Sequence, residues 1–286
     1  MKLKAIQNKF HEELDSLYPI EEVDSFFGML AETYYGVKRI QLATNPNLAF
    51  EDDRKIFNAL NELKQEKPIQ YILGETEFYG MPFQVNEGVL IPRPETEELV
   101  EWVLKKVDVN SEMNILDMGT GSGCIAIALA KHLPKSNIHA LDISTKALKV
   151  ARENAKTNRV DVSFYEANIL ALGNTINNKN FDIIVSNPPY VREKEKQHMK
   201  PNVVDNEPHL ALFVKDEDPL LFYKAITDFA NINLKKNGLL FFEINEYLGK
   251  AMIDLLTHKS FKNIELKQDI FKKDRMIKAE KAHEQY

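Results

Sequence analysis

The sequence predicts an α/β protein in which a doubly wound, mostly parallel sheet follows a smaller N-terminal helical bundle and a linking β-hairpin. Short apolar runs alternate with helical patterns from Asn114 onward, whereas the first 66 residues show helical spacing alone. The chain of 286 residues also exceeds the usual domain length of about 100 to 200 residues. We therefore expect a helical domain (1–67), a hairpin linker (68–92) and a larger domain (93–286).

Composition restricts the class of protein. Hydrophobic residues make up 44% of the chain and charged residues 28%, which supports packed cores. No apolar stretch approaches the roughly 18 residues of a membrane span, and the N-terminus lacks a signal-peptide core, so a cytoplasmic protein is expected. The single cysteine, Cys124, excludes an internal disulfide framework, and the seven histidines are not clustered as metal ligands. No metal is expected.

The net charge of -6 is concentrated at the front of the chain. Residues 1–92 contain 9 basic and 15 acidic residues, whereas residues 93–286 contain 28 of each. Because nonspecific nucleic-acid binding depends on basic residues that neutralise phosphates, the acidic front argues against stable nucleic-acid binding. A local basic groove remains compatible with this balance.

The first part of the chain carries four apolar stripes at spacings of three and four residues, typical of amphipathic helices. The stripes contain Phe10, Leu14, Leu17 and Tyr18; Val23, Phe26, Phe27 and Leu30; Ile40 and Leu42; and Ile56, Phe57, Leu60 and Leu63. Asn45-Pro46-Asn47 separates the third stripe from the fourth, because a proline after a polar residue favours a break. A small helical bundle is expected.

Strand-forming residues become frequent after Pro68. Residues 70–74 and 76–79 are β-prone, 80–82 form a predicted turn, and 83–85 return along the hairpin.

A rigid stretch then precedes the larger domain. In Pro92-Arg93-Pro94-Glu95-Thr96 the prolines hold Arg93 extended, and Pro94 or Thr96 begins a helix. This stretch is suited to form a wall of a ligand pocket, and a helix-capping linker is the alternative.

The predicted first strand of the sheet, 114–117, leads into a glycine-rich turn and a helix over 124–132. The turn contains Gly119, Gly121 and Gly123, which let the backbone turn tightly and approach a ligand closely. Their spacing is G-x-G-x-G, not the dinucleotide fingerprint G-x-G-x-x-G. Asp117, just before the turn, would repel a pyrophosphate but accept a cationic or zwitterionic ligand.

Polar residues also follow the next two predicted strands. Asp142 ends the strand 138–142 and lies 19 residues beyond the last glycine of the turn. At such a strand end a carboxylate can accept hydrogen bonds from both hydroxyls of a ribose. Capping of the helix 144–157 is the alternative role. Asn168 follows the strand 162–166 and is placed either to contact an adenine edge or to serve its own turn.

The fourth predicted strand, Phe181–Ser186, leads directly into Asn187-Pro188-Pro189-Tyr190. Open α/β sheets bind their ligands at such carboxyl strand ends. The prolines remove two backbone donors, which leaves carbonyl groups and the Asn187 side chain to accept hydrogen bonds from a planar NH2 group. The Tyr190 ring can cover the face of that group, although a Pro-Pro turn with ordinary tyrosine packing is the alternative.

The remaining residues complete the sheet. Residues 192–208 show little periodicity and are interpreted as a mobile segment beside the site or a solvated loop. The later elements are a helix over 218–234, a strand over 238–244, a helix over 248–256 and strands over 263–266 and 275–279.

Together, the turn after Asp117, the Asp142 carboxylate and the Asn187 tetrapeptide resemble Rossmann-like class I S-adenosylmethionine-dependent methyltransferases that modify planar amide or amino nitrogens. Within that class, the chain resembles the HemK or PrmC family, the peptide-chain release factor N5-glutamine methyltransferases. This narrower similarity is carried by residues 68–74, 78–80, 90–97 and 207–208. As a set these motifs are specific, whereas the glycine motif alone is not.

The resemblance implies methyl transfer from S-adenosylmethionine to the glutamine side-chain nitrogen in the Gly-Gly-Gln motif of release factors. The acidic charge of the N-terminal helical domain suggests that this domain docks the protein substrate. It implies a cofactor site made of Asp117, Gly119, Thr120, Gly121, Gly123, Asp142, Asn168 and Asn187. It implies a substrate site made of Asn187, Pro188, Pro189, Tyr190, Arg93 and Glu95, of which Asn187, Pro188 and Tyr190 are catalytic.

Some positions depart from the family pattern, and other functions remain open. Asn168 stands where an acidic residue is frequent, and residues 213–219 and 245–246 replace glycine-containing stretches. The alternatives are a glutamine methyltransferase of a ribosomal protein and an adenine-N6 or cytosine-N4 methyltransferase of nucleic acid, which needs the same acceptor geometry. A nucleotide-dependent oxidoreductase or a noncatalytic binding subunit is the alternative from another class.

Overall fold

The computed structural model describes residues 1–45, 48, 49, 52–172, 176 and 180–282, so Pro46 and Asn47 of the expected helix break lie outside the described residues. The chain divides into two units. The first contains Met1–Gly74 and Lys200–Asn206, and the second contains the rest of the described chain.

The helices, in chain order, are α1 (Leu3–Leu14), α2 (Ile20–Tyr35), α3 (Arg39–Thr44), α4 (Arg54–Leu63), α5 (Ile69–Leu73), α6 (Pro94–Lys105), α7 (Cys124–His132), α8 (Thr145–Asn158), α9 (Pro201–Val204), α10 (His209–Leu212), α11 (Leu221–Asn233) and α12 (Gly249–His258). The strands are β1 (Glu75–Phe78), β2 (Met81–Gln84), β3 (Asn114–Met118), β4 (Asn137–Asp142), β5 (Ser163–Glu166), β6 (Phe181–Ser186), β7 (Val191–Arg192), β8 (Phe213–Val214), β9 (Leu234–Glu243), β10 (Phe261–Gln268) and β11 (Asp274–Lys281).

The first unit is helical, as the apolar stripes predict. Its core is formed by α1, α2 and α4, whose buried residues include Ile6, Leu30 and Leu63. Phe10 and Phe27 meet edge to face with ring centroids 5.3 Å apart. Each helix therefore buries one face and leaves its charged face to solvent.

The expected strand over residues 70–74 is wrong, because this stretch is the helix α5. Pro68 precedes the helix, and Gly74, at φ 78°, donates its N–H to the carbonyl of Gln70 at 2.8 Å. A proline at the start and a left-handed glycine at the end are helix boundaries, and Ile69 packs in the core of the first unit. These end signals and this packing outweigh the local β-propensity.

The second unit is organised around a seven-stranded sheet with the order β10, β11, β9, β6, β3, β4, β5. The five strands from β9 to β5 run parallel, and β11 and β10 complete the sheet with antiparallel pairing. The chain runs from β3 outward through β4 to β5 and then returns to β6 on the other side. The predicted doubly wound sheet is confirmed.

Both faces of this sheet are covered, which explains the continuous apolar runs in its strands. In β6, Ile183 and Val185 belong to the core shared with α6 and α7, whereas Ile184 belongs to the core shared with α11 and α12. The side-chain alternation of a strand thus supplies two opposite cores.

The predicted hairpin exists as β1 and β2, with Thr76 opposite Phe83. The turn expected over residues 80–82 is wrong, because Met81 and Pro82 already pair with β1 as part of β2. Its two-residue turn, Tyr79 and Gly80, has φ angles of 52° and 70°, as a type I′ turn requires. Phe78 and Phe83 are buried in the core of the second unit.

The segment interpreted as an irregular loop contains short regular elements. A 3-10 helix spans Glu193–His198, and β7 pairs with β8 through Val191 and Phe213. None of the described helices has the length and apolar character needed to cross a membrane. The described residues also contain no group of three His, Cys, Asp or Glu side chains suited to hold a metal ion.

Candidate active site

The candidate site lies at the carboxyl edge of the parallel strands, where the strand order reverses between β3 and β6. The turn 118–123 follows β3, Asp142 ends β4, and the tetrapeptide 187–190 follows β6. The Ser186 hydroxyl donates to the Met118 carbonyl at 2.6 Å and ties the ends of β6 and β3 together. The polar residues predicted from separate strand ends therefore meet at one edge.

Asp117 is a fully buried carboxyl with one uncommitted oxygen. The Thr120 hydroxyl donates to its Oδ2 at 2.5 Å, whereas Oδ1 has no hydrogen-bond partner among the residues that the structure describes. Burial raises the pKa of Asp117 to about 7, and the Thr120 hydroxyl and the Ala126 N–H oppose this rise. A buried carboxylate oxygen without a donor is costly, so a bound cationic group would stabilise it.

The glycine turn leaves room for a ligand at Gly121. Gly119 and Thr120 both donate their N–H groups to the Leu141 carbonyl at 2.9 Å, which anchors the turn to the end of β4. Gly121 has φ 55°, and a Cβ built on it would meet no atom within 4 Å. The backbone is therefore exposed to open space there.

Helix packing requires a glycine at position 123. A Cβ at this position would lie 2.9 Å from Ile127 Cδ1 and 3.1 Å from Ala151 Cβ. Because Gly123 has no side chain, α7 and α8 can approach each other behind the turn.

Asp142 is fixed by two backbone donors. Its Oδ2 accepts the Gly121 N–H at 2.9 Å and its Oδ1 accepts the Ser144 N–H at 2.8 Å. Burial raises the pKa of Asp142, and the backbone donors oppose the rise. Each carboxylate oxygen keeps a second lone pair, so the geometry combines the turn role at Ser144 with capacity for ribose hydroxyls.

Asn168 serves its own turn. Its side-chain oxygen accepts the Leu170 N–H at 2.9 Å and begins the 3-10 helix Ile169–Ala171. The Asn168 oxygen therefore stabilises its own turn, which is one of the two roles expected from the sequence.

The Asn187 side chain is held in one orientation. Its Nδ2 donates to the Thr96 oxygen at 3.2 Å, and the Thr96 hydroxyl donates to Glu243 Oε2 at 2.6 Å. Asn187 Oδ1 lies on the other side of the amide group and receives no hydrogen bond from any residue the structure describes. Oδ1 is thus an acceptor with spare capacity at the end of β6.

The rest of the tetrapeptide is held by the end of β9. The Tyr190 hydroxyl donates to Glu243 Oε1 at 3.0 Å, and the Tyr190 carbonyl accepts from Asn245 Nδ2 at 3.2 Å. Burial first, and then the charge of Glu243, raise the pKa of the Tyr190 hydroxyl. Tyr190 is therefore a neutral hydrogen-bond donor. Pro188 is buried and Pro189 is half-buried.

Arg93 is bound to the buried carboxylate of Glu207. Arg93 Nη2 lies 2.5 Å from Glu207 Oε1, and the Ile91 N–H donates to Glu207 Oε2 at 3.3 Å. The charge of Arg93 also lowers the pKa of Tyr190 slightly, and that of Glu95 raises the pKa of Glu243. The charge of Arg93 therefore reaches Tyr190, and that of Glu95 reaches Glu243.

Sequence reasoning missed Thr96 and Glu243 as site residues. The sequence indicates Thr96 only as a possible helix start and Glu243 only as part of a strand. The position of Glu243 in the sequence could have indicated its role, because it ends the apolar strand β9 at the same carboxyl edge as the other site residues.

Comparison with known proteins identifies the class first. Residues 96–210 match the family model described as methyltransferase small domain. Two solved structures share the fold: a methyltransferase from Pyrococcus furiosus (TM-score 0.53, 15% identity, 79% of this chain and 99% of that chain) and the 16S rRNA N2 G1207 methyltransferase from Thermus thermophilus (TM-score 0.53, 17% identity, 72% and 49%).

Curated relatives identify the family. A release factor glutamine methyltransferase from Flavobacterium psychrophilum is 51% identical over 97% of this chain and 99% of the relative. Proteins with the same name from Bacteroides thetaiotaomicron and Streptococcus pneumoniae are 41% and 38% identical, each over 97% of this chain. The chain belongs to the release factor glutamine methyltransferase family, which confirms the resemblance.

Proposed function

We propose that this chain transfers a methyl group from S-adenosylmethionine to the glutamine side-chain nitrogen in the Gly-Gly-Gln motif of peptide-chain release factors. The observation that carries the proposal is the fixed Asn187 amide, whose free Oδ1 lies beside Pro188 at the carboxyl end of β6. Family membership narrows the planar NH2 acceptor to glutamine, because the curated relatives are named for that activity.

The site residues fit the proposed cofactor. The uncommitted Oδ1 of Asp117 would accept the ammonium of its amino-acid part, and the open space at Gly121 would admit it beside the backbone. Asp142 would accept ribose hydroxyls, and Asn168 would lie near the adenine. When bound, S-adenosylmethionine supplies an electrophilic methyl group on a sulfonium centre. Two carboxylates favour such a cation and disfavour the pyrophosphate of a dinucleotide.

The tetrapeptide would position and polarise the glutamine amide. An amide nitrogen is a poor nucleophile because its lone pair is delocalised into the carbonyl. Asn187 Oδ1 and the Pro188 carbonyl would each accept one N–H bond, which fixes the nitrogen and favours positive charge developing on it. Tyr190 would cover the face of the amide. The proton can leave after transfer, so the mechanism requires no side chain tuned as a base.

A methyl-transfer assay with labelled S-adenosylmethionine tests the substrate class. We expect label in a release factor and none in the same factor after its motif glutamine is replaced by alanine. Ribosomal proteins, DNA and RNA serve as competing substrates in the same assay. Label that enters only one of these would replace the proposal by the corresponding alternative.

We further propose that the first unit docks the release factor. Residues 1–74 of this unit contain 9 basic and 12 acidic residues, and this acidic excess supports a contact with a basic region of the protein substrate. Glu21 on α2 and Glu32 on α2 are both exposed, so their reversal to lysine alters surface charge without removing core packing.

The double variant Glu21→Lys/Glu32→Lys should raise KM for whole release factor by about threefold or more, because charge complementarity controls encounter. KM for a short glutamine peptide should stay unchanged. Glu153→Lys, a reversal at an exposed position of α8 in the second unit, is the matched control. Equal effects on the two substrates, or an equal effect of the control, would contradict docking by the first unit.

A further inference from the structure

Glu243 joins two groups of the candidate site through one buried carboxyl. It ends β9, which pairs with β6 so that Ser186, the residue before the tetrapeptide, lies opposite Phe242. Glu243 is 1% exposed. Its Oε2 accepts the Thr96 hydroxyl at 2.6 Å, and its Oε1 accepts the Tyr190 hydroxyl at 3.0 Å.

The direction of these hydrogen bonds determines how Asn187 is oriented. An ionised carboxyl only accepts hydrogen bonds, so the single proton of the Thr96 hydroxyl points to Glu243. The Thr96 oxygen can then only accept from Asn187, at 3.2 Å, which requires Nδ2 on the Thr96 side. Asn187 Oδ1 must consequently face the opposite side, where the substrate N–H would arrive.

We propose that Glu243 is a positioning residue that acts through the Thr96 hydroxyl to hold Asn187 Oδ1, and not its NH2 group, toward the glutamine amide. If the Asn187 amide were rotated by 180°, its NH2 group would face the NH2 group of the substrate, and both groups are hydrogen-bond donors. The orientation of Asn187 therefore decides whether the site can bind an NH2 group. This inference rests on the proposed function for its substrate, while the orientation itself follows from the contacts of Glu243.

The surroundings of Glu243 shift its pKa in opposite directions, with a net rise. Burial raises its pKa and is the largest influence, and the charge of Glu95 adds to the rise. The Thr96 and Tyr190 hydroxyls and the charge of Arg275 act in the opposite direction. Two donors directed at one carboxyl match the acceptor-only state that the orientation of Asn187 requires.

A matched pair of substitutions at Thr96 tests the role. Thr96→Val keeps the side-chain shape but removes the hydroxyl, whereas Thr96→Ser keeps the hydroxyl. We expect Thr96→Val to lower kcat for release factor by about tenfold, roughly the effect of one lost hydrogen bond, while Thr96→Ser stays within about threefold of the wild type. Equal kcat values for the two variants would overturn the proposal.

A double-mutant cycle separates positioning from a general structural role. If Thr96 acts through Asn187, Thr96→Val should lower kcat in the wild-type background but not further in an Asn187→Ala background. Additive losses would show that Thr96 acts independently of Asn187. If Thr96→Val does not fold, Glu243→Gln replaces it in the same cycle, because its NH2 group meets one hydroxyl with a donor instead of an acceptor.

A spectroscopic measurement tests the contact between Thr96 and Asn187 without any substrate. The side-chain amide resonance of Asn187, assigned by its loss in Asn187→Ala, should keep its position in Thr96→Ser and shift in Thr96→Val. An unchanged resonance in Thr96→Val would refute the contact between Thr96 and Asn187. Absence of turnover by the wild-type enzyme would refute the proposed function alone, since this measurement would still decide whether Thr96 contacts the Asn187 amide.

Discussion

Replacing Asn187 with alanine is expected to lower kcat for release factor on the order of 100-fold or more, because the substrate nitrogen loses an acceptor that both positions it and stabilises its developing charge. Within the described part of the chain the Asn187 amide donates to Thr96 alone, so its removal leaves the Asp117 and Asp142 contacts intact. Affinity for S-adenosylhomocysteine, measured by calorimetry, should therefore change by less than about threefold.

Asn137→Ala is the control for this experiment. Asn137 begins β4 at the opposite edge of the sheet, is exposed, and donates to Asn114 at 3.2 Å. It should leave kcat unchanged. Loss of cofactor affinity in parallel with kcat in Asn187→Ala would contradict the assignment of Asn187 to the substrate.

Replacing Asp117 with asparagine is expected to weaken binding of S-adenosylhomocysteine by about 10- to 100-fold, because a charge-assisted hydrogen bond to its ammonium becomes a neutral contact. The substitution keeps the shape of the side chain and an oxygen that can accept the hydrogen bond from the Thr120 hydroxyl. Asp161→Asn, at an exposed position, is the control and should bind normally. Unchanged affinity in Asp117→Asn would exclude Asp117 from the cofactor site.

The same substitution is expected to stabilise the ligand-free protein above pH 7. Burial raises the pKa of Asp117 from 3.8 to about 7, so the folded state holds a proton that the unfolded state has lost between these pH values. This carboxyl therefore reduces the free energy of unfolding as pH rises from about 4 to about 7, by a few kcal/mol at most. Thermal unfolding should show Asp117→Asn more stable than wild type at pH 8 and nearly equal at pH 4.

The protonation of Asp117 should also make the affinity for S-adenosylhomocysteine depend on pH. Because the ammonium favours the ionised carboxylate, the wild-type affinity for S-adenosylhomocysteine should fall as pH drops below about 7, whereas that of Asp117→Asn should vary less. Calorimetry between pH 6 and pH 8 checks both slopes. Identical slopes would show that Asp117 does not change protonation on binding.

Much of the second unit was predictable because its signals are local. The strand Phe181–Ser186 has the predicted bounds, since a continuous apolar run ended by Asn187-Pro188-Pro189 leaves little choice of length. Helix α5 was not predicted. It has only five residues, so its local β-propensity conflicts with its boundary residues and with the tertiary packing of Ile69.

The site was predictable only in part, for a physical reason. Asp117, Asp142 and Asn187 are found from sequence because each ends a recognisable strand, and parallel strand ends meet at one edge. The contact between Thr96 and Glu243 joins residues 147 positions apart, and no local pattern records such a pair. Sequence therefore predicts which groups reach the site, whereas the structure gives the hydrogen bonds that orient them.

Mass spectrometry of a release factor incubated with the enzyme and S-adenosylmethionine tests the central claim most directly. The account predicts the added mass of one methylene group, located by fragmentation on the side chain of the motif glutamine and missing after incubation with Asn187→Ala. A methyl group on any other residue, or none while calorimetry shows that the cofactor is bound, would contradict it.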